Sequence, residues 1–490
     1  MKKTFKRAGV AVLSMAMLLS MGAMTAISSN AAGTLKVDIN STIGVTNAST
    51  YDVYRIASST VVGGVYSYTW ETAVDDEVTG LPTISQVELY TAEDLKNLAS
   101  KIALAASASG SLIPQVATGV NVGTATSSLA DGYYLALVHS SDNGVMVQPV
   151  IQKIEGGNVS VVAKASPLTI DKVISSVTAN EGVRYNDDKA SVSSNGTVTY
   201  TLTSYIPEYS PTVNTKVIAG QLSYETPYTI TDTASPSLDL QTISVTIGGD
   251  TIDSGVTATI NGDKHGAVVT VSDAVVAANN GDAVVVTLTA KVNDTATLSN
   301  KTTANNLNNN VEVTYSNEYT TGKGSASDDD NVDVYTTGMG LYKYRTDTNA
   351  AMAGVTFTLT NTSTTAEYNA TTDTNGYCVF KNLAEGTYTL SETPQTGFQT
   401  MSDKTVVVAA GTTNGTFKIT VDGVELADAN FTTSGTSYTN GKLDVGNTPG
   451  HTLPITGGMG TVLFTVGGAA IVLLAGVLFV VYMRKRKVEE

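Results

Sequence analysis

The 490-residue chain holds a single cysteine, Cys378, and only three histidines, His139, His265 and His451. One cysteine excludes an intrachain disulfide. The histidines are scattered, and there is no Cys–His pairing, metal-spaced cluster or serine in a Gly-x-Ser-x-Gly setting. The residues of an ordinary active site or metal centre are therefore missing, which argues against a turnover enzyme such as an exported hydrolase; no cofactor is expected. Basic residues are scarce as well. Between residues 32 and 456 there are 20 lysines and arginines against 42 acids, a net charge of −22. So acidic a body repels nucleic acid and favours solubility. Long helical patterns are rare too.

What is present is Thr, Val, Tyr, Asn, Ser and Gly, a composition suited to strands and tight turns. The fold class expected is mainly β, with tandem immunoglobulin-like β-sandwiches. Cys378 sits in "GYCVFKNL", where alternation makes it a small buried hydrophobe rather than a reactive thiol.

The two ends place the body outside a cell. Residues 1–31 have a basic start (Lys2, Lys3, Lys6, Arg7), an apolar middle and small residues at Ser29 and Ala31, the pattern of a cleavable secretory signal. At the other end, Thr461 to Met483 carries no charge and exceeds the roughly 20 residues needed to cross a bilayer. Arg484 to Lys487 then stay cytoplasmic by the positive-inside rule.

Length and composition suggest three domains. The first, 32–165, opens on the alternating "TLKVDIN" and holds one amphipathic helix, "YTAEDLKNLASKIALAA". There Thr91 and Asp94 form a capping-box pattern and Leu95, Leu98 and Ile102 an apolar stripe for the core. The second, 166–331, alternates strictly in "GTVTYTLTSYIP" and "DAVVVTLTAKV" and closes with "NNVEVTYSNEY". Thr320 to Asn331, with Asp328 to Asp330 in series, is expected to be a solvated linker, since its spacing is not that of a calcium loop. The third, 332–452, again has short strands between Gly- and Asn-rich turns.

Leu453-Pro454-Ile455-Thr456-Gly457, followed by the apolar span and basic tail, resembles the cell-wall sorting signal of Gram-positive surface proteins. The resemblance implies that a sortase cysteine attacks the Thr456 carbonyl and releases Gly457 onward, and that an amine resolves the thioester. Pro454 favours an extended, kinked substrate. The whole layout resembles the major backbone subunit of a sortase-assembled pilus. That family implies, as partners, sortase, further copies of the chain, minor pilins, peptidoglycan and host-surface ligands. It also implies an acceptor lysine at the end of the first domain in a Tyr-Pro-Lys context. Here "NVSVVAKASP" puts Lys164 there, with Val162-Ala163 in place of Tyr-Pro, so Lys153 and Lys172 remain alternatives. A monomeric wall-anchored adhesin is the rival reading.

The two later domains also resemble collagen-adhesin-type domains that carry self-generated Lys–Asn isopeptide bonds beside a buried acid. Burial disfavours the ammonium and keeps the acid protonated, so a neutral lysine meets an amide that the acid polarises. Contact supplies much of the rest. The motifs "PLTIDKVIS", "YTITDT" and "VTYSN" nominate Lys172, Asp232 and Asn317 in the second domain. In the third, "GLYKYRTD", "YTLSETPQTGF" and "LDVGNTPG" nominate Lys343, Glu392 and Asn447, with Phe398 where the family has Tyr. Lys36, in "TLKVD", has no convincing acid or Asn partner and is not assigned a bond.

Overall fold

The computed structural model describes residues 32–39, 49–107, 110–139, 145–206, 228–317, 324–427, 441–450 and 459–486. The expected leader and Leu453–Gly457 lie outside these residues. The body is built from strands, as the composition demands, and its buried apolar side chains form cores in series along the chain.

In the first domain the strand Gly132–His139 is buried on both faces. Tyr133, Leu135 and Leu137 meet the helix Ala92–Ser107 through Leu98 and Ile102, whereas Tyr134, Ala136 and Val138 meet Leu35 and Val37. The helix starts where its sequence says. Asp94 N–H donates to Thr91 Oγ1 at 3.2 Å and Thr91 N–H donates to Asp94 Oδ2 at 3.1 Å, so each satisfies an orphan donor of the first turn. The opening strand Leu35–Ile39 pairs in parallel with Val159–Ala163. This domain is thus a sheet between a helical layer and a small second sheet.

The middle domain packs a four-stranded sheet on a seven-stranded one. Strand Ile170–Val177 lies at the edge of the first, paired with Val198–Tyr205. Tyr228–Ala234 and Leu307–Asn317 are neighbours in the second. The expected linker is not one. From Gly324 it is a strand, Gly324–Tyr335, hydrogen-bonded to Leu307–Asn317 along its whole length. The three aspartates concealed it, because a charge run reads as solvated. Two of them have structural work: Ile170 N–H donates to Asp328 Oδ2 at 2.9 Å and Lys172 N–H to Asp330 Oδ2 at 2.7 Å. These side chains stitch the edge strand of one sheet to the facing sheet, and Val332 and Val334 bury in the same core.

Only Thr336 separates that strand from Thr337–Arg345, the first strand of the next core. Thr337–Arg345 pairs antiparallel with Tyr377–Leu383 and parallel with Lys442–Asn447. A six-stranded sheet containing Thr356–Asn361 and Gly386–Glu392 covers it. Cys378 is buried there, and burial pushes its thiol up to about 12, as expected of an inert core residue. Finally, Met459–Arg486 is one helix, exposed from Phe464 onward. Its segment Phe464–Arg486, which contains an 18-residue window of mean hydropathy 2.6, is long and apolar enough to cross a membrane.

Candidate functional site

Period-two alternation turns Ile170, Lys172 and Ile174 inward, so a lysine enters an apolar core. From the facing sheet, alternation turns Ile230 and Asp232 inward to meet it. Lys172 Nζ contacts Asp232 Oδ2, and both side chains are all but sealed from solvent. Tyr200 lies beneath, its ring centroid 5.1 Å from Nζ. Burial pulls the Lys172 pKa down, outweighing the charges of Asp232 and Asp330. Burial likewise pushes Asp232 up against the opposing pull of Lys172. Both shifts favour the neutral pair over the ion pair.

Asn317 is not part of this site. It ends its strand paired with Gly324, whereas the level of Lys172 and Asp232 is marked by Val311, which pairs with both Asp232 and Asp330. Six residues of strand beyond Val311 amount to about 20 Å. The asparagine that does reach the site is Asn309, the next inward residue from Val311 and fully buried. It adjoins Asp232 and Tyr200, yet neither of its amide atoms has a hydrogen-bond partner. A signal for it was present: in "LNNNVEVTY", Leu307, Asn309, Val311 and Val313 share the buried face.

In the last domain all three nominated residues meet. Lys343 and Asn447 come from adjacent parallel strands, with Arg345 opposite Asn447, and Glu392 reaches across from the covering sheet. All three are buried. Lys343 Nζ donates to Glu392 Oε2 at 3.1 Å and contacts Asn447 Oδ1, and Asn447 Nδ2 donates to Glu392 Oε1 at 2.6 Å. The carboxyl thus spans the amine and the amide nitrogen rather than touching the carbonyl. Phe357 caps the amine, its ring centroid 5.5 Å away. Burial pulls the Lys343 pKa down, with Glu392 opposing.

The first domain has no such arrangement at Lys36. Its side chain is 39% exposed, and its ammonium pairs with Asp38 at 2.9 Å. Lys164 is exposed, between the strands Val159–Ala163 and Ala165–Pro167 at the end of the first domain. Lys153 is differently placed. It is paired with Glu88 at 2.8 Å and Glu155 at 3.3 Å; burial lowers its pKa, but these two acids outweigh it and hold it above the ordinary range. Lys172 is sealed in the core, out of reach of another chain.

Among known protein families, residues 337–425 match the SpaA prealbumin-like fold domain, and residues 447–490 match the LPXTG cell wall anchor motif. No curated protein matches the chain. Among solved structures, the T6 backbone pilin of serotype M6 Streptococcus pyogenes aligns with 86% of this chain and 100% of its own, at 17% identity and TM-score 0.56. The major pilin SpaD of Corynebacterium diphtheriae aligns with 86% of this chain and 98% of its own, at 16% identity and TM-score 0.47. The chain therefore carries a SpaA-type prealbumin-like domain and an LPXTG cell wall anchor, and shares the overall fold of a backbone pilin.

Proposed function

We propose that the chain is the shaft subunit of a covalently polymerised surface pilus. Sortase cleaves between Thr456 and Gly457, and Lys164 of the next copy resolves the Thr456 thioester. Peptidoglycan receives the finished fibre, and minor pilins and host-surface ligands are its further partners. The observation that carries this reading is an exposed lysine at the end of the first domain of a chain that also bears an LPXTG anchor. Of the three candidate acceptors, Lys153 is held by two acids and Lys172 is buried, which supports Lys164.

Within each copy, Lys172 joins Asn309 with Asp232 assisting, and Lys343 joins Asn447 with Glu392 assisting. In both, the neutral amine attacks the amide carbon, and the C–N bond to the amide nitrogen breaks. The acid relays one proton, net, from the amine to the departing nitrogen, so ammonia leaves and an amide remains. Glu392, in contact with both nitrogens, supports this role.

Immunoblots of wall extracts test the polymer. Boiling-resistant ladders are expected from the natural chain and none from Lys164→Ala. Ladders that survive the substitution remove Lys164 as acceptor. A single discrete band from the natural chain supports the wall-anchored monomer instead.

A further inference from the structure

Four buried polar atoms of three neighbouring middle-domain residues lack a hydrogen-bond partner: Tyr200 OH, Asp232 Oδ1, and Asn309 Oδ1 and Nδ2. An unpaired buried polar group costs about 1–3 kcal/mol, so such a cluster in a core calls for an account. The four are complementary. A hydroxyl donor suits the amide oxygen, and the amide nitrogen suits the free carboxyl oxygen. In that orientation of Asn309 each of the four is matched to a group of the opposite kind.

We propose that Tyr200 is a catalytic residue of the middle-domain cross-link, its O–H donating to Asn309 Oδ1 and stabilising the negative charge that develops there as Lys172 attacks. This rests on the assignment of Lys172, Asp232 and Asn309 made above. Asp232 cannot easily serve the carbonyl as well, because Oδ2 is engaged by Lys172 Nζ and Oδ1 is needed at the departing nitrogen. Tyr200 stands on Val198–Tyr205, opposite Ile174 of the Lys172 strand, and is fully buried. Burial and the nearby Asp232 push its pKa up, so it stays a neutral donor throughout. No proton is transferred from it. The atoms balance without any co-reactant: the Nζ–Cγ bond forms, the Cγ–Nδ2 bond breaks, and one proton passes from Nζ through Asp232 to ammonia. The last domain differs, because an aromatic ring without a hydroxyl, Phe357, faces its lysine.

The test uses the two bonds of one molecule as reaction and clock. After a pulse of synthesis, samples are quenched in acid over time, and the Lys172–Asn309 and Lys343–Asn447 cross-linked peptides are counted by mass spectrometry. Tyr200→Phe should slow the middle bond on the order of 100-fold, the loss that accompanies removal of one oxyanion donor, and leave the other bond's rate unchanged. Equal rates for the middle bond in both chains overturn the assignment. Absence of the middle bond from the natural chain overturns both this inference and the reading beneath it. Packing is controlled on a background that cannot cross-link. Asn309→Ala/Tyr200→Phe should unfold no lower than Asn309→Ala, in which the hydroxyl has no amide to serve, and a clear drop in the double variant assigns any slowing to packing and removes the catalytic role.

Discussion

Lys172 and Asp232 face each other in full burial from opposite sheets of the middle domain, and the surroundings drive both toward their neutral forms. A lysine and a carboxyl buried together contribute little stability in themselves, because ionising them would desolvate two charges and offset their attraction. Their retention in a core suits chemistry better than packing.

The partner of Lys172 should be Asn309 and not Asn317. Intact mass of the secreted body is expected to fall short of the calculated value by two ammonias. Asn309→Ala should restore one of them, whereas Asn317→Ala should restore none. A mass shift at Asn317→Ala, with none at Asn309→Ala, reverses the assignment.

Glu392→Gln keeps the shape of the last site but cannot carry a proton between the two nitrogens it touches. The bond at Lys343 should then fail to form, and the domain should lose resistance to heat and to protease. Intact mass one ammonia heavier, with the middle bond intact, is the expected record. An unchanged mass removes Glu392 from the mechanism.

The two proposed cross-links, once formed, would define a load path. In a fibre joined at Lys164 and Thr456, force would pass through Lys172 to Asn309, along the chain to Lys343, and across to Asn447. Most of both later domains is bypassed, and residues 32–163 are not on the path. The exception is the hairpin of Leu307–Asn317 with Gly324–Tyr335, which is loaded at its open end, since Asn309 pairs with Val332. Ladder bonds loaded this way break one after another, each contributing about 0.5–1.5 kcal/mol. The stretch from Asn309 to Lys343, at about 3.3–3.6 Å per residue, should release on the order of 100 Å in single-molecule pulling. Lys172→Ala should lengthen that step by most of a domain.

The middle and last domains should unfold as one unit. Glu181 of the former is 3% exposed. It accepts from Ser193 Oγ at 2.5 Å, from Tyr368 OH at 2.6 Å, from Asn361 Nδ2 at 3.3 Å and from the Thr364 hydroxyl. Three of those donors belong to the last domain. Glu181→Ala orphans them at about 1–3 kcal/mol, and calorimetry should resolve two transitions where the natural chain gives one. A single transition at an unchanged temperature shows that the clamp does not couple them.

Acid should weaken the first domain through Asp52. Burial raises its pKa, but the His139 ring at 3.0 Å and the Gly119 N–H at 2.8 Å more than offset this and hold it below the ordinary carboxylate value. A depressed pKa means the folded state favours the carboxylate. The stabilisation is therefore present above about pH 4, and it is lost as pH falls through the folded value. Asp52→Asn should cost about 2 kcal/mol at neutral pH and nothing at pH 2, read from denaturant unfolding of the first domain. An equal cost at both pH values contradicts the linkage.

Composition and periodicity were enough for the β class, the helix with its Thr91–Asp94 cap, the apolar span and the buried state of Cys378, because each depends on neighbours within a few residues. The last-domain site was equally legible, since the segments carrying Lys343, Glu392 and Asn447 each have a distinctive local pattern. Two things were not. Asp328 to Asp330 look solvated until the facing strand offers them the N–H groups of Ile170 and Lys172. Asn309 and Asn317 lie on one strand with the same parity, and only the register against Tyr228–Ala234 decides which of them stands level with Asp232. Side-chain alternation is a property of a single strand, whereas depth along a sandwich is set by pairing between strands distant in sequence, and so it emerges only when the sheets close.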